Sequence, residues 1–119
     1  MHCTVVDFAK DRIIFNFTDC TREELEAKLE LFFSAEGYRL TKTEGDKLSY
    51  EKGKRWKRLL FGAFSPFHHV KAELNPQGST IGVMLQRVSS GFSGGLIGIN
   101  QVRKEFERIT EQFKAYFRS

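Results

Sequence analysis

Five of the seven residues from Lys52 to Arg58 are basic, Trp56 stands among them, and Leu59, Leu60, Phe61, Phe64 and Phe67 follow. Cations beside aromatic side chains suit an anionic interface. At a membrane the basic residues would meet acidic headgroups while Trp56 and the Leu-Phe run enter the boundary region. On nucleic acid the same cations would contact phosphates and Trp56 would stack on an unpaired base. Lys54, Arg55, Trp56, Lys57, Arg58, Phe61 and Phe64 are therefore the candidate binding residues. The bland alternative has the apolar residues covering the end of the core while the cations keep a long loop soluble.

Other patterns carry less. The segment GFSGGLIGIN could aim backbone N–H groups at a phosphate, but it lacks the G-K-[ST] ending of a P-loop and no G-x-G-x-x-G follows a strand in a parallel setting. His68 and His69 are adjacent in a predicted strand, so they should point to opposite faces and cannot share one metal without a bulge. Ser89, Ser90 and Ser93 have no partnered base in sequence. Glu23, Glu24, Glu26 and Glu30 resemble a carboxylate cluster, yet they fall in the first turns of a helix, where acids favour the dipole and Glu24 with Lys28 makes an i, i+4 pair. Arg103 and Glu107 read as the same kind of solvated helix face. No catalytic residue, metal ligand or cofactor site is assigned.

The chain has 119 residues, 40% of them hydrophobic and 29% charged, with two prolines. That supports one α+β domain over residues 1–119 and excludes disordered and collagen-like classes. The net charge is +4, but Glu51 to Lys71 alone carries +5 and the remainder −1, so attraction to an anion should depend on one loop and weaken with salt. The N-terminus shows no signal-peptide run, and the longest uncharged stretch, Val88 to Val102, is short of the about 20 apolar residues of a spanning helix. A cytoplasmic protein with free Cys3 and Cys20 is expected.

The elements that would position these residues follow from periodicity. Val5 to Phe8 and Arg12 to Thr18 predict a hairpin turning at Lys10 and Asp11. Thr21 and Glu24 form a capping box, Leu25, Leu29, Phe32 and Phe33 a helical stripe, and Gly37 the helix end. Tyr38 to Lys52 predicts a second hairpin through Gly45-Asp46. A third runs from His68 to Leu74, turns at Asn75-Pro76-Gln77-Gly78, and returns through Ile81, Val83 and Leu85. Asn100 is the expected N-cap of a last helix with Val102, Phe106, Ile109, Phe113 and Tyr116 or Phe117 on one stripe. The expected fold is a two-layer α+β sandwich: an antiparallel sheet of about five to six strands with both helices on one face.

Tyr50-Glu51-Lys52-Gly53, the stretch Leu60-Phe61-Gly62-Ala63-Phe64-Ser65-Pro66 and the helix-first, sheet-later order resemble a group of small bacterial α+β proteins of uncharacterised function. The resemblance implies a bacterial origin and contributes no site residues. Three functions then compete. The first is a non-enzymatic binding or interaction module using the 52–67 stretch, for a membrane, a nucleic acid or a partner protein. The second is a small-ligand site or enzyme in a cleft joining His68 or His69, Tyr50 and the Gly-rich segment. The third is a structural subunit or homodimer through a free edge or face of the sheet. The missing acid-base and nucleophile patterns favour the first.

Overall fold

The computed structural model describes residues 1–53, 67–88 and 95–118, with the backbone alone for 67 and 95–101. Among these residues the elements are β1 (His2–Ala9), β2 (Arg12–Thr18), α1 (Arg22–Ala35), β3 (Arg39–Glu44), β4 (Lys47–Gly53), β5 (Phe67–Gln77), β6 (Thr80–Arg87) and α2 (Gly95–Tyr116). The strands form one antiparallel sheet in the order β1-β2-β6-β5-β4-β3. The three expected hairpins are present, and the last of them inserts beside both earlier ones through β6 on β2 and β5 on β4.

Strand alternation decides which side chains are buried together. Ile13, Phe15 and Phe17 of β2, Ile81, Val83 and Leu85 of β6, Val70, Ala72 and Leu74 of β5, and Leu48 and Tyr50 of β4 share one core with Leu25, Leu29, Phe32 and Phe33 of α1 and Phe106, Ile109 and Phe113 of α2. Aromatic contacts join the elements. Phe113 lies 4.6 Å from Phe15, 5.2 Å from Phe32 and 4.5 Å from Phe117, centroid to centroid, and Phe33 stacks on Tyr50 at 4.1 Å. Such pairs add to the area their rings bury.

The α1 cap forms as its sequence predicts: the Glu24 N–H donates to Thr21 Oγ1 and the Thr21 N–H to Glu24 Oε1. Glu24 is thereby used in the cap, and the i, i+4 pair on this helix joins Arg22 to Glu26 instead of Glu24 to Lys28. Arg22 also pairs with Asp46 in the β3–β4 turn. Gly37 has φ +88, where a side chain is strained, and a Cβ there would also stand 3.4 Å from the Lys52 stem.

Three boundaries depart from expectation. β1 runs over His2–Ala9 rather than Val5 to Phe8, because Cys3 and His2 find partners in Phe17 and Thr18. Asn75, Pro76 and Gln77 are strand rather than turn, and the turn falls at Gly78 and Ser79. The Leu74 N–H points toward β4, reaching Asp46 O; by alternation Pro76 presents its missing N–H on that same side, beyond the last β4 partner Lys47, where no ladder bond is forfeited. Asn100 is inside α2, not its cap, since the helix already runs at Gly95. The i, i+3 spacing of Leu96, Ile99 and Val102 carries the helical period back through the glycines, which cost propensity but do not terminate the helix.

Candidate anion-binding end of the sheet

Along the buried face, three adjacent strands change character at their last position. β4 presents Leu48, Tyr50 and then Lys52; β5, read toward its start, Leu74, Ala72, Val70 and then His68; β6 presents Ile81, Val83, Leu85 and then Arg87. Lys52 and His68 are direct cross-strand partners, and Arg87 pairs with Val70. A basic row thus continues the apolar columns toward one end of the sheet. His68 is only 9% exposed, so the row is not simply a solvated margin.

The chain leaves and re-enters at this same end. Gly53 and Phe67 are paired residues, so both ends of the 54–66 segment are rooted there. The Val88 N–H bonds His69 O and the Arg87 N–H bonds Asp11 O, which brings the end of β6 and the Lys10-Asp11 turn alongside. The Arg39 guanidinium donates to Gly53 O at 2.8 Å and holds the last residue of β4. The candidate residues Lys54, Arg55, Trp56, Lys57, Arg58, Phe61 and Phe64 themselves lie outside the described residues, as do Ser89, Ser90 and Ser93.

α2 closes the buried side with Glu105. Its carboxylate accepts from Tyr38 Oη at 2.7 Å and from Arg108 Nε and Nη2, each at 2.9 Å, and Lys52 Nζ stands 3.7 Å away. Arg108 reaches on to Glu36 at the end of α1 at 2.6 Å. Burial alone would raise the Glu105 pKa, but the hydrogen bonds from Arg108 and Tyr38 and the Lys52 charge outweigh it and hold the carboxyl below its ordinary range. The Tyr38 hydroxyl moves upward by burial and by its bond to Glu105, so it is a neutral donor. Lys52 also lies 5.7 Å from the Tyr38 ring centroid. The network ties α2 to α1 and β4, and it leaves Lys52 partly exposed beside the base of the 54–66 segment.

Arg87 brings to this end a polar group with much to gain from a ligand, and Arg103 on α2 carries another of the same kind. The Nε of each is buried and has no hydrogen-bond partner among the described residues. A buried N–H left without an acceptor costs about 1–3 kcal/mol, which an anionic oxygen would recover. Tyr38, His68, His69, Arg87, Val102 and Glu105 surround one gap too narrow to admit a water molecule.

Acid-base and nucleophilic chemistry have less to work with. Cys3 and Cys20 are free thiols; burial pushes the Cys3 pKa up to about 11 and that of Cys20 upward too, opposite to what an activated thiolate needs. His68 and His69 do point to opposite faces, His68 with Lys52 and His69 with Glu51, and among the described residues no cluster of His, Cys, Asp or Glu could hold a metal ion. Tyr50 is in the core against Phe33 rather than in a cleft with the histidines. Residues 91–94 of the Gly-rich segment lie outside the described residues, and the rest of it is α2 backbone.

Sequence reasoning missed Arg87 and Glu105 and took Arg103 for a solvated face. One signal was present: the alternation of β4, β5 and β6 each ends on a basic residue, at Lys52, His68 and Arg87. Their alignment side by side was not visible without the register. Comparison with models of known protein families finds no match, and comparison with characterised proteins finds no relative.

Proposed function

We propose that this protein is a non-enzymatic binding module that docks on an acidic lipid surface through the end of the sheet carrying Lys52, His68 and Arg87 and the basic-aromatic segment rooted there. The module is a cytoplasmic, bacterial α+β protein, a two-layer sandwich with both helices on one face, which leaves one end of the sheet for contact. The observation that carries it is the basic row at buried-face positions of three adjacent strands, where apolar side chains would otherwise continue the core. Lipid is favoured over nucleic acid by the apolar run Leu59, Leu60, Phe61, Phe64 and Phe67 directly after the cations: it exceeds what base stacking uses and suits the headgroup boundary. Among the described residues no helix is long and apolar enough to cross a membrane, so contact would be peripheral.

Sedimentation with vesicles of phosphatidylcholine alone and with added phosphatidylglycerol, at low and physiological salt, tests this. Binding should require the acidic lipid, weaken with salt, and vanish when Lys54, Arg55, Lys57 and Arg58 are changed together to Glu. Retention on single-stranded DNA but not on acidic vesicles would replace lipid by nucleic acid. Unchanged vesicle binding by the charge-reversed protein, and by one with Lys52→Gln and Arg87→Gln, would remove this end of the sheet as the site.

A further inference from the structure

The buried face covers β1 only at Cys3, which packs against the core. Val5 and Phe8 pair with Phe15 and Ile13 and so face the same side, yet they are 45% and 75% exposed where Phe15 is fully covered. Between this uncovered stretch and α2 lies a cleft of about 410 Å³, within the roughly 300–1,000 Å³ range of small-molecule sites. Phe106 and Ile13, both buried, form an apolar floor, and the Phe8 ring stands open at the side.

The charges around the cleft are unequal. Lys114 and Glu111 of α2 neutralise each other at 3.1 Å. That leaves Lys10 and Arg12 among the lining on the hairpin side, neither in an ion pair among the described residues, and Glu107 on the helix side. The excess is one positive charge, placed away from α2. A monoanion with a flat apolar body matches this arrangement: the ring covers Phe8 and Phe106, Lys10 and Arg12 meet the anion, and Glu107 repels it from the helix side and sets its orientation.

We infer that this cleft is a binding site for a small aromatic carboxylate. The site is built from described residues outside the basic-aromatic segment, so it stands or falls separately from lipid docking. The probe is naphthoate, titrated into the full chain and followed by amide proton–nitrogen NMR spectra, with naphthylmethanol and naphthylmethylamine as neutral and cationic counterparts. Naphthoate should perturb amides of Phe8 to Ile13 and Phe106 to Lys114 saturably, with a dissociation constant of about 0.1–1 mM, as expected for a ligand of this size. Phe8→Ala removes an exposed side chain, so its spectrum should remain that of the folded protein while affinity falls at least about fivefold. Lys10→Gln with Arg12→Gln should reduce naphthoate affinity to that of the alcohol. Reversing the charges of residues 54–58 should leave naphthoate binding unchanged. Absence of saturable shifts, shifts centred elsewhere, unchanged affinity in Phe8→Ala, or equal binding of the amine would each overturn the assignment.

Discussion

Two regions of the same buried face are built from opposite materials. Over β2, Phe15 and Phe17 meet Phe32, Phe113 and Phe117 in one interlocked set of rings. At the end of β4, β5 and β6 the corresponding columns finish in Lys52, His68 and Arg87, under a carboxylate held by Tyr38 and Arg108. The first region gains free energy from dry, close-packed area, and its value lies in having no polar atoms to satisfy. The second keeps charge in a poorly solvated place, which is costly unless every group is paired, and Arg87 retains a buried Nε without an acceptor among the described residues. A region that only stabilised the fold would have been simpler to complete with leucines. The contrast separates a part that holds the molecule together from a part suited to holding something else.

The largest effect should come from the aromatic region. Phe113→Ala removes the ring shared by both helices and β2, and urea unfolding should show a loss of about 3–5 kcal/mol. Vesicle binding per folded molecule should be unchanged; a loss of binding in the folded fraction would merge the two regions into one.

Next is the carboxylate. Glu105→Gln at neutral pH should cost about 1.5–3 kcal/mol, because charged hydrogen bonds from Arg108 and Tyr38 become neutral ones. The folded-state pKa of Glu105 lies below its ordinary value of 4.5, so its contribution is fully present above that value and is lost as pH falls through the lowered pKa. The wild type should therefore lose stability on acidification more steeply than the variant, and the gap between them should close. Parallel curves of stability against pH would show that Glu105 does not carry this dependence.

Lys52→Gln with Arg87→Gln should weaken binding to acidic vesicles and reduce its salt dependence. The melting temperature should change little by comparison. Thr21→Ala, which removes only the α1 cap, should cost about 1 kcal/mol of stability with no effect on vesicles. Smallest of all, Lys42→Ala breaks an exposed pair with Glu44 on the edge strand β3 and should leave the urea unfolding midpoint unchanged.

Much of the scaffold was legible because it rests on local rules. The capping box at Thr21, the stripe Leu25, Leu29, Phe32 and Phe33, and the turns at Lys10-Asp11 and Gly45-Asp46 each follow from neighbours a few residues away. Where a second strand was needed to settle the matter, local rules failed. Pro76 reads as a turn until the side of β5 on which its nitrogen lies is known to have no partner, and the glycines before Asn100 read as a loop because their low helix propensity was weighed without the rest of α2. The site was half legible. The basic-aromatic composition of residues 52–67 stood out, but nothing in the linear pattern joined Arg87 and Glu105 to it.

The amino-acid order alone was enough for the alternation of six strands, two amphipathic helices and the concentration of positive charge in one segment, since each depends on spacing within a few turns or a few pleats. The antiparallel register was what set Lys52 beside His68 and Arg87 one step along, and the docking of α2 was what brought Glu105 to Tyr38 and Lys52 while leaving Phe8 uncovered. Those contacts join residues far apart in the chain, and their geometry exists only once hydrophobic burial has chosen which faces meet.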